Sequence, residues 1–228
     1  MRRTLNVIRL QLINRSTFIW APLIILGAAT LISVLIYAMV PNDIAIYGGG
    51  GQAPLWYFFA IGISAMTLTF PFSQAMSITR REFFLGTMLT AVLASALMGI
   101  LFLIGGGIEV ATNGYGVNGW VFHIPWLWEA GPGGAFVVYF ALALFFFVVG
   151  FTGATIYKSW GLMTLTISWI VLALLLVGLA YLVTRFEMWG QVWTGIGEFG
   201  ALGLALWGLV VTAVLMGVSF LAFRRTIP

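Results

Sequence analysis

The chain has 228 residues, of which 62% are hydrophobic and 7% charged, and its mean hydropathy is +1.10. Ordinary soluble domains contain about 45–50% apolar and about 25% charged residues, so this composition excludes a water-soluble globular protein. The absence of cysteine excludes disulfides and thiolate metal sites. The formal net charge of +4 comes from basic residues scattered along the chain, without a patch large enough to bind DNA or RNA.

The amino-terminal stretch MRRTLNVIRLQLINRSTF combines arginines with a narrow apolar stripe. Leu5, Ile8 and Leu12 lie on that stripe at helical spacing. This pattern predicts a helix over residues 1–16 that lies in the membrane interface, where its arginines reach lipid phosphates. Because Val7, Leu10 and Ile13 fall off the stripe, a simple extension of the first membrane helix is the alternative interpretation.

Six apolar runs follow, and each is long enough to cross a bilayer as a helix. A hydrocarbon core about 30 Å thick requires about 20 apolar residues per helix. The runs are Phe18–Val40, Pro54–Met76, Phe84–Ile108, Gly134–Tyr157, Gly161–Val183 and Phe199–Phe223. They are apolar on every face, whereas the strands of a β-barrel alternate apolar and polar positions, so the sequence predicts helices. We therefore expect a single all-α transmembrane domain, with a six-helix bundle over residues 17–223.

The basic residues indicate how this bundle is oriented. All ten except Arg185 lie before the first run, between the second and third, between the fourth and fifth, or after the sixth: Arg2, Arg3, Arg9, Arg15, Arg80, Arg81, Lys158, Arg224 and Arg225. Basic residues concentrate on the cytoplasmic side of membrane proteins. We therefore expect a multi-pass protein of the cell membrane, in contact with its lipids, with both termini and the two short turns in the cytoplasm.

The connections on the opposite side are longer and rich in glycine and aromatic residues. Their tryptophans are predicted to anchor the bundle at the membrane interface rather than to bind substrate: Trp120, Trp126, Trp128, Trp189 and Trp193. His123 is interpreted in the same way, as an interfacial residue. No ionisable residue lies at the centre of a run, and Glu109 and Glu198, at the outer ends of the third and sixth runs, are the nearest candidates for a functional carboxylate.

Two features inside the runs predict how the helices pack. The third run carries a small residue at every fourth position: Thr87, Ala91, Ser95 and Gly99. Such a stripe lets a neighbouring helix approach closely. Pro71 predicts a bend toward the inner end of the second helix.

The stretch SITRREFFLGT, residues 77–87, places three charges side by side between the second and third runs. A charge at the centre of a membrane helix costs about 2.5–3.5 kcal/mol on insertion scales, so these residues must reach water or headgroups. Anchoring by positive charge explains the two arginines. It does not explain the Ser-Ile-Thr before them or the Phe-Phe-Leu-Gly after them.

This stretch resembles the cytoplasmic turn between the second and third helices of type-2 ABC transporter permeases. In that family a small residue, a Thr or Ser, one or two Arg, aromatics and a Gly recur in that order. The resemblance extends to six helices, to both ends inside, and to the short turn IYKSWGL around Lys158. It implies that residues 77–86 form a turn that docks in a groove of a separate cytoplasmic ATPase subunit. The residues implied to couple the two subunits are Thr79, Arg80, Arg81, Glu82, Phe83, Phe84 and Lys158.

The resemblance also implies the partners and cofactors. The chain lacks the P-loop G-x-x-x-x-G-K-[ST], whose backbone amides hold phosphates, so ATP and Mg²⁺ would be bound by the partner subunit and no cofactor by this chain. We expect no catalytic residue and no metal site here, and a second copy or a similar permease subunit beside it. The family builds its pathway from the second and fifth helices, which corresponds here to Met66, Thr67, Phe70, Thr164, Thr166 and Ser168.

The expected function is that of the transmembrane permease subunit of an ABC exporter. Its substrate would be hydrophobic or amphipathic, such as a drug, a peptide or a lipid-like molecule, and would leave the cytoplasm or the inner leaflet. The alternative is a non-transporting membrane scaffold, or an immunity protein that sequesters a hydrophobic toxin. A secondary transporter comes third, because the uncharged helix interiors offer no group to bind or relay a driving ion.

Overall fold

Helices make up 87% of the structure, a computed structural model that describes residues 17, 20–40 and 45–223. Five helices in this part of the chain are long and apolar enough to cross a membrane: Ala21–Ala38, Gly49–Ala75, Arg80–Thr112, Gly131–Arg185 and Trp189–Phe223. The chain is therefore an all-α protein of the multi-pass membrane class. The predicted interfacial helix over residues 1–16 lies outside the described residues.

The elements are numbered in chain order. The helices are α1 (Ala21–Ala38), α2 (Ala53–Ser64), α3 (Phe70–Ala75), α4 (Arg80–Thr112), α5 (Gly131–Arg185) and α6 (Trp189–Phe223). A 3₁₀ turn, Gly49–Gln52, precedes α2, a π-helical turn occupies Ala65–Thr69, and Gly114–Asn118 is a turn with positive φ at several residues. The strands β1 (Ile46–Tyr47) and β2 (Gly119–Trp120) form a short parallel pair.

Proline begins four of the helices and marks the irregular part of the second span. A proline lies in the first turn of α1, α2, α3 and α5, a position that its fixed φ favours. At the bend predicted near Pro71, the structure has the π turn Ala65–Thr69, which ends directly before α3. Pro71 then occupies the first turn of α3.

Two of the long helices are interrupted by a glycine that leaves the helical conformation. Gly161 in α5 has φ 84° and ψ 177°, and Gly200 in α6 has φ 60° and ψ 177°. A positive φ combined with an extended ψ is open almost only to glycine. The break at Gly161 lies at the predicted boundary between the fourth and fifth runs. The separated segments are called α5a (131–160), α5b (162–185), α6a (189–199) and α6b (201–223).

The core lies where α2 and α5a meet with their backbones in contact. A Cβ atom added at Gly62 would overlap the carbonyl oxygen of Phe147, and one added at Gly150 would overlap that of Phe59. Small residues allow this kind of close approach between membrane helices. The two glycines therefore set the distance between α2 and α5a.

The small-residue stripe of α4 is confirmed as an internal packing face. All four of its residues are buried: Thr87, Ala91, Ser95 and Gly99. A Cβ atom at Gly99 would lie 3.1 Å from the ring of Phe136 in α5a, so the stripe packs toward that helix. By contrast, nearly every residue of α5b is exposed within the described chain, as at Leu174 (65%).

Candidate functional site

The charged stretch forms a tight turn between α3 and α4, at what we call the turn end of the bundle. Helix α3 ends at Ala75, and the amide of Ile78 donates a hydrogen bond to the carbonyl of Ser73 (3.1 Å). The side-chain amide of Gln74 donates to the carbonyl of Ile78 (3.0 Å). The turn is thus closed by local hydrogen bonds and leads directly into α4.

Thr79 and Glu82 start α4 with a capping box. The amide of Glu82 donates to Thr79 Oγ1 (3.3 Å), and the amide of Thr79 donates to Glu82 Oε2 (3.1 Å). The Thr79 hydroxyl lies 2.7 Å from the same carboxylate oxygen. Reciprocal capping satisfies amides that would otherwise lack a partner at the start of a helix. Helix α4 therefore begins at Arg80 rather than at the predicted Phe84.

Arg80 and Arg81 occupy the first turn of α4, with Arg81 exposed and Arg80 half-buried. The amino-terminal end of a helix carries partial positive charge, so a cation there is unfavourable by about 0.3–1 kcal/mol. The charge at the start of α4 therefore does not by itself favour two arginines at this position.

The structure buries Phe83 and Phe84 within the chain, which corrects the prediction that they anchor a partner subunit. Both are buried in the core of the chain, with exposed fractions of 0% and 7%. Helical periodicity is the physical reason, because these two residues share a face of α4 with the buried Thr87 and Met88. They belong to a group that we call the phenylalanine cluster: Phe70, Phe83, Phe84, Phe151, Phe220 and Phe223.

The phenylalanine cluster joins the turn to four helices, because its members come from α3, α4, α5a and α6b. Its ring centroids lie 4.8 to 6.3 Å apart, the spacing of favourable aromatic contacts. Lys158, half-buried near the end of α5a, lies at the same end of the bundle. The neighbouring Ser159 hydroxyl donates to the carbonyl of Ala222 (3.4 Å), directly before Phe223. The two turns expected in the cytoplasm are therefore on the same side.

The structure places the six residues expected to line a pathway in two different settings. Met66 and Phe70 are fully buried in the core, with an exposed fraction of 0%. The hydroxyls of the others donate to carbonyls of their own helices at 2.8 to 3.0 Å: Thr67, Thr164, Thr166 and Ser168. These four hydroxyls therefore offer a substrate no free donor.

A cavity of about 550 Å³ lies between α2, α5a, α5b and α6b, and we call it the side cavity. Its wall is largely apolar and includes Trp56, Phe146 and Trp169. The rings of Trp56 and Phe146 pack edge to face with centroids 5.1 Å apart. Thr152 and Ser168 also line the cavity, but both hydroxyls bond to carbonyls of their own helices, at 2.7 and 2.8 Å. The side cavity therefore suits an apolar molecule.

The opposite end of the bundle is closed by what we call the cap, formed by the segments that precede α2 and α5. Strands β1 and β2 pair within it, and the amide of Gly48 donates to the carbonyl of Trp120 (3.0 Å). Tyr37, from α1, is 95% buried against this pair, where a Cβ atom at Gly48 or Gly119 would overlap its side chain. The cap thus ties α1 to the loop before α5.

Glu109 holds the cap to α4. Its side chain is fully buried, with an exposed fraction of 0%. The carboxylate accepts hydrogen bonds from the amides of Val121 (2.8 Å), Phe122 (2.9 and 3.1 Å) and His123 (2.7 Å). Successive amides that point at one acceptor form an anion-binding nest. The sequence locates Glu109 but not its partners, because backbone amides 12 to 14 residues away leave no side-chain pattern.

Aromatic side chains surround this nest. The carbonyl of Phe122 accepts hydrogen bonds from Trp128 Nε1 (2.9 Å) and from the Tyr139 hydroxyl. The ring of His123 packs on that of Trp128, with centroids 4.7 Å apart. Burial, together with the negative charge of Glu109 and a hydrogen bond to it, raises the pKa of Tyr115 to about 12. Trp128 and His123, predicted as interfacial residues, are thus also part of the internal structure of the cap.

The remaining candidate carboxylate, Glu198, is exposed in α6a. Among the described residues, no three His, Asp or Glu side chains are grouped so that they could hold a metal ion. Comparison of the chain with family models, with curated proteins and with solved structures gives no match.

Proposed function

We propose that the chain is the transmembrane permease subunit of an ATP-driven exporter of the ABC type, with ATP hydrolysed on a separate cytoplasmic subunit. The observation that carries this proposal is the placement of Arg80 and Arg81. They lie at an exposed turn, at the helix end where positive charge is unfavourable, and directly before a cluster that joins four helices. An acidic groove on a partner subunit would be complementary to the exposed Arg81 and to the positive helix end beside it.

The break at Gly161 supports a six-helix bundle. A continuous helix of 55 residues would be roughly 82 Å long, whereas a bilayer core is about 30 Å thick. Redirected at Gly161, α5a and α5b can each cross the membrane. We infer six crossings, with the turn end and both termini in the cytoplasm, because that side carries the basic residues.

The phenylalanine cluster supplies a route from the partner to the membrane helices. When nucleotide binding closes the ATPase subunits, the turn would move with them and would shift α3, α4, α5a and α6b together. Helices α5a and α6b also form walls of the side cavity. The exposed, apolar α5b leaves a face for lipid or for a second permease subunit.

The proposal is tested by purifying the tagged protein from its native membrane and measuring ATPase activity in the eluate. We expect a soluble ATPase to co-purify with the unaltered chain. The variant Arg80→Glu/Arg81→Glu should weaken this association by about 30-fold, the equivalent of about 2 kcal/mol for an arginine at the centre of an interface. Retention of the ATPase by this variant, or its absence from the unaltered chain, would favour the non-transporting scaffold.

Arg185→Glu is the matched control, since it reverses the charge of an exposed arginine that is not part of the turn. It should leave the ATPase bound. Because the chain has no cysteine, single Ser77→Cys and Gln191→Cys probes report the sidedness of each variant through labelling with a membrane-impermeant maleimide. Unchanged labelling shows that the loss of ATPase is not caused by inverted insertion.

A further inference from the structure

The side cavity is the first part of a longer groove along α6b. A second cavity, of about 450 Å³, lies between α5a and α6b and shares Phe145 and Val211 with the side cavity. A third, also about 450 Å³, shares Trp126 and Ala201 with the second. We call the three adjoining cavities the long groove, and the third its mouth. The mouth lies beside the break at Gly200, near the cap.

The two inner cavities are fitted to a long apolar tail. From Ala201 to Leu215, both of which line the groove, α6b rises roughly 21 Å, which matches an extended alkyl chain of membrane-lipid length. The second cavity is lined by apolar side chains and Gly208. The hydroxyls of Thr152 and Ser168 in the side cavity already bond to their own helices. A polar head buried there would lose its hydration without gaining a free donor.

The mouth differs from the inner cavities in charge. It is lined by the carboxylates Glu129 and Glu198 and by the indole of Trp126, and none of its lining residues is basic. A Glu129 carboxylate oxygen lies 3.5 Å from the position that a Cβ atom would take at Gly200, so this side chain covers the break in α6. Carboxylates beside an aromatic face attract a cation and repel an anion.

We propose that the long groove binds a cationic amphiphile, with its apolar tail in the two inner cavities and its positively charged head at Glu129, Glu198 and Trp126. The head charge follows from the complementarity of the mouth, and the linear tail follows from the order of the cavities along α6b. The inference deepens the proposed function, on which it rests for its transport role, by naming a substrate class.

The test uses the full chain in lipid nanodiscs, without any partner subunit. Energy transfer from the tryptophans that line the groove to a diphenylhexatriene probe reports occupancy. One probe carries a quaternary ammonium head, and the other carries a carboxylate head on the same fluorophore. We expect saturable transfer to the cationic probe, at least about tenfold tighter than to the anionic probe. Equal affinity for both probes would overturn the proposal and would indicate a groove filled by any lipid chain.

Two glycines of α6b provide a matched pair of variants. A Cβ atom meets nothing within 4 Å at Gly208 or at Gly217, but only Gly208 is among the residues that line the second cavity. Gly208→Leu should fill that cavity and abolish the saturable signal, whereas Gly217→Leu should leave it unchanged. If both variants bind the cationic probe as the unaltered chain does, the probe does not enter the groove.

The mouth is tested separately with Glu129→Gln/Glu198→Gln. Because both carboxylates are exposed, we expect a loss of about 3- to 10-fold in affinity for the cationic probe and no loss for the anionic one. An unchanged preference for the cationic probe would contradict the assignment of the head. These binding results do not depend on an ATPase, so charge-selective binding without a co-purifying ATPase would refute the exporter and leave the groove standing. A co-purifying ATPase without charge-selective binding would refute only the groove.

Discussion

The turn end and the cap end of the bundle are held by different kinds of interaction. At the turn end, six phenylalanine rings pack at 4.8 to 6.3 Å, through contacts that have little directionality and survive small displacements. At the cap end, one buried carboxylate accepts hydrogen bonds from three successive amides, which are lost when the geometry changes. The first arrangement suits a region that moves as a unit, and the second suits a region that stays closed.

Removal of the Glu109 carboxylate should have the greatest effect on stability. In Glu109→Ala the three amides of Val121, Phe122 and His123 lose their acceptor inside the protein, and each unpaired buried group costs about 1–3 kcal/mol. We expect the free energy of unfolding to fall by about 4 kcal/mol, measured by reversible unfolding in mixed micelles. Glu198→Ala, at an exposed carboxylate, is the control and should change it by less than about 0.5 kcal/mol. Equal effects would show that the nest does not hold the cap.

The stability that the phenylalanine cluster provides should depend on side-chain volume rather than on hydrogen-bond geometry. Phe223→Ala leaves a cavity between α4 and α6b and should lower the free energy of unfolding by about 2 kcal/mol, less than in a soluble core because lipid is itself apolar. Phe223→Leu, which keeps most of the volume, should cost less than about 1.5 kcal/mol. Glu109→Gln also preserves shape, yet it turns a donor toward the amides of the nest and should cost more than Phe223→Leu. A larger loss for Phe223→Leu than for Glu109→Gln would contradict the distinction between the two ends.

Two variants of Thr79 test how much the capping box contributes to stability. Thr79→Ala removes the side-chain acceptor for the amide of Glu82 and should lower the free energy of unfolding by about 1 kcal/mol. Thr79→Ser keeps that acceptor and should be close to neutral. Both are measured in the same micelle assay, and an equal loss in the two variants would mean that the threonine methyl group, rather than the cap, is what matters.

The smallest predicted effect on stability comes from Tyr115 in the cap, and it appears only at alkaline pH. Its pKa is raised from 10.0 to about 12, chiefly by burial and further by Glu109. The folded chain therefore keeps a proton that the unfolded chain releases, so the stabilisation is complete below pH 10 and is lost as the pH rises toward 12. Tyr115→Phe should remove this part of the alkaline loss of stability. Phenolate absorbance should show one tyrosine fewer titrating late, and an unchanged titration would place Tyr115 away from the carboxylate.

Local patterns predict much of the turn end. Apolar runs predict the long helices, and four-residue spacing predicts the stripe that packs against α5a. The sequence also predicts the start of α4, because Thr-Arg-Arg-Glu is a capping-box pattern at residues 79–82. The apolar run alone gives a start at Phe84 that is too late, and the docking interpretation assigns Phe83 and Phe84 to a partner although the periodicity of α4 buries them.

The cap and the core contact depend on partners that are distant in sequence. The amides that bind Glu109 carry no residue-type signal, since a valine, a phenylalanine and a histidine supply them. Gly62 and Gly150 are two of 28 glycines, and only the packing of α2 on α5a distinguishes them. The long groove likewise depends on where α5 and α6 are interrupted, at Gly161 and Gly200.

The decisive measurement compares ATPase co-purification for variants at the two ends under identical conditions. Arg80→Glu/Arg81→Glu alters the turn end, and Tyr115→Phe makes a mild change in the cap; both are purified from the native membrane beside the unaltered chain. We predict that the ATPase remains with the unaltered chain and with Tyr115→Phe, and that about 30-fold more partner is needed to retain it on the turn variant. Full retention on the turn variant, or a loss confined to Tyr115→Phe, would contradict docking at the turn end.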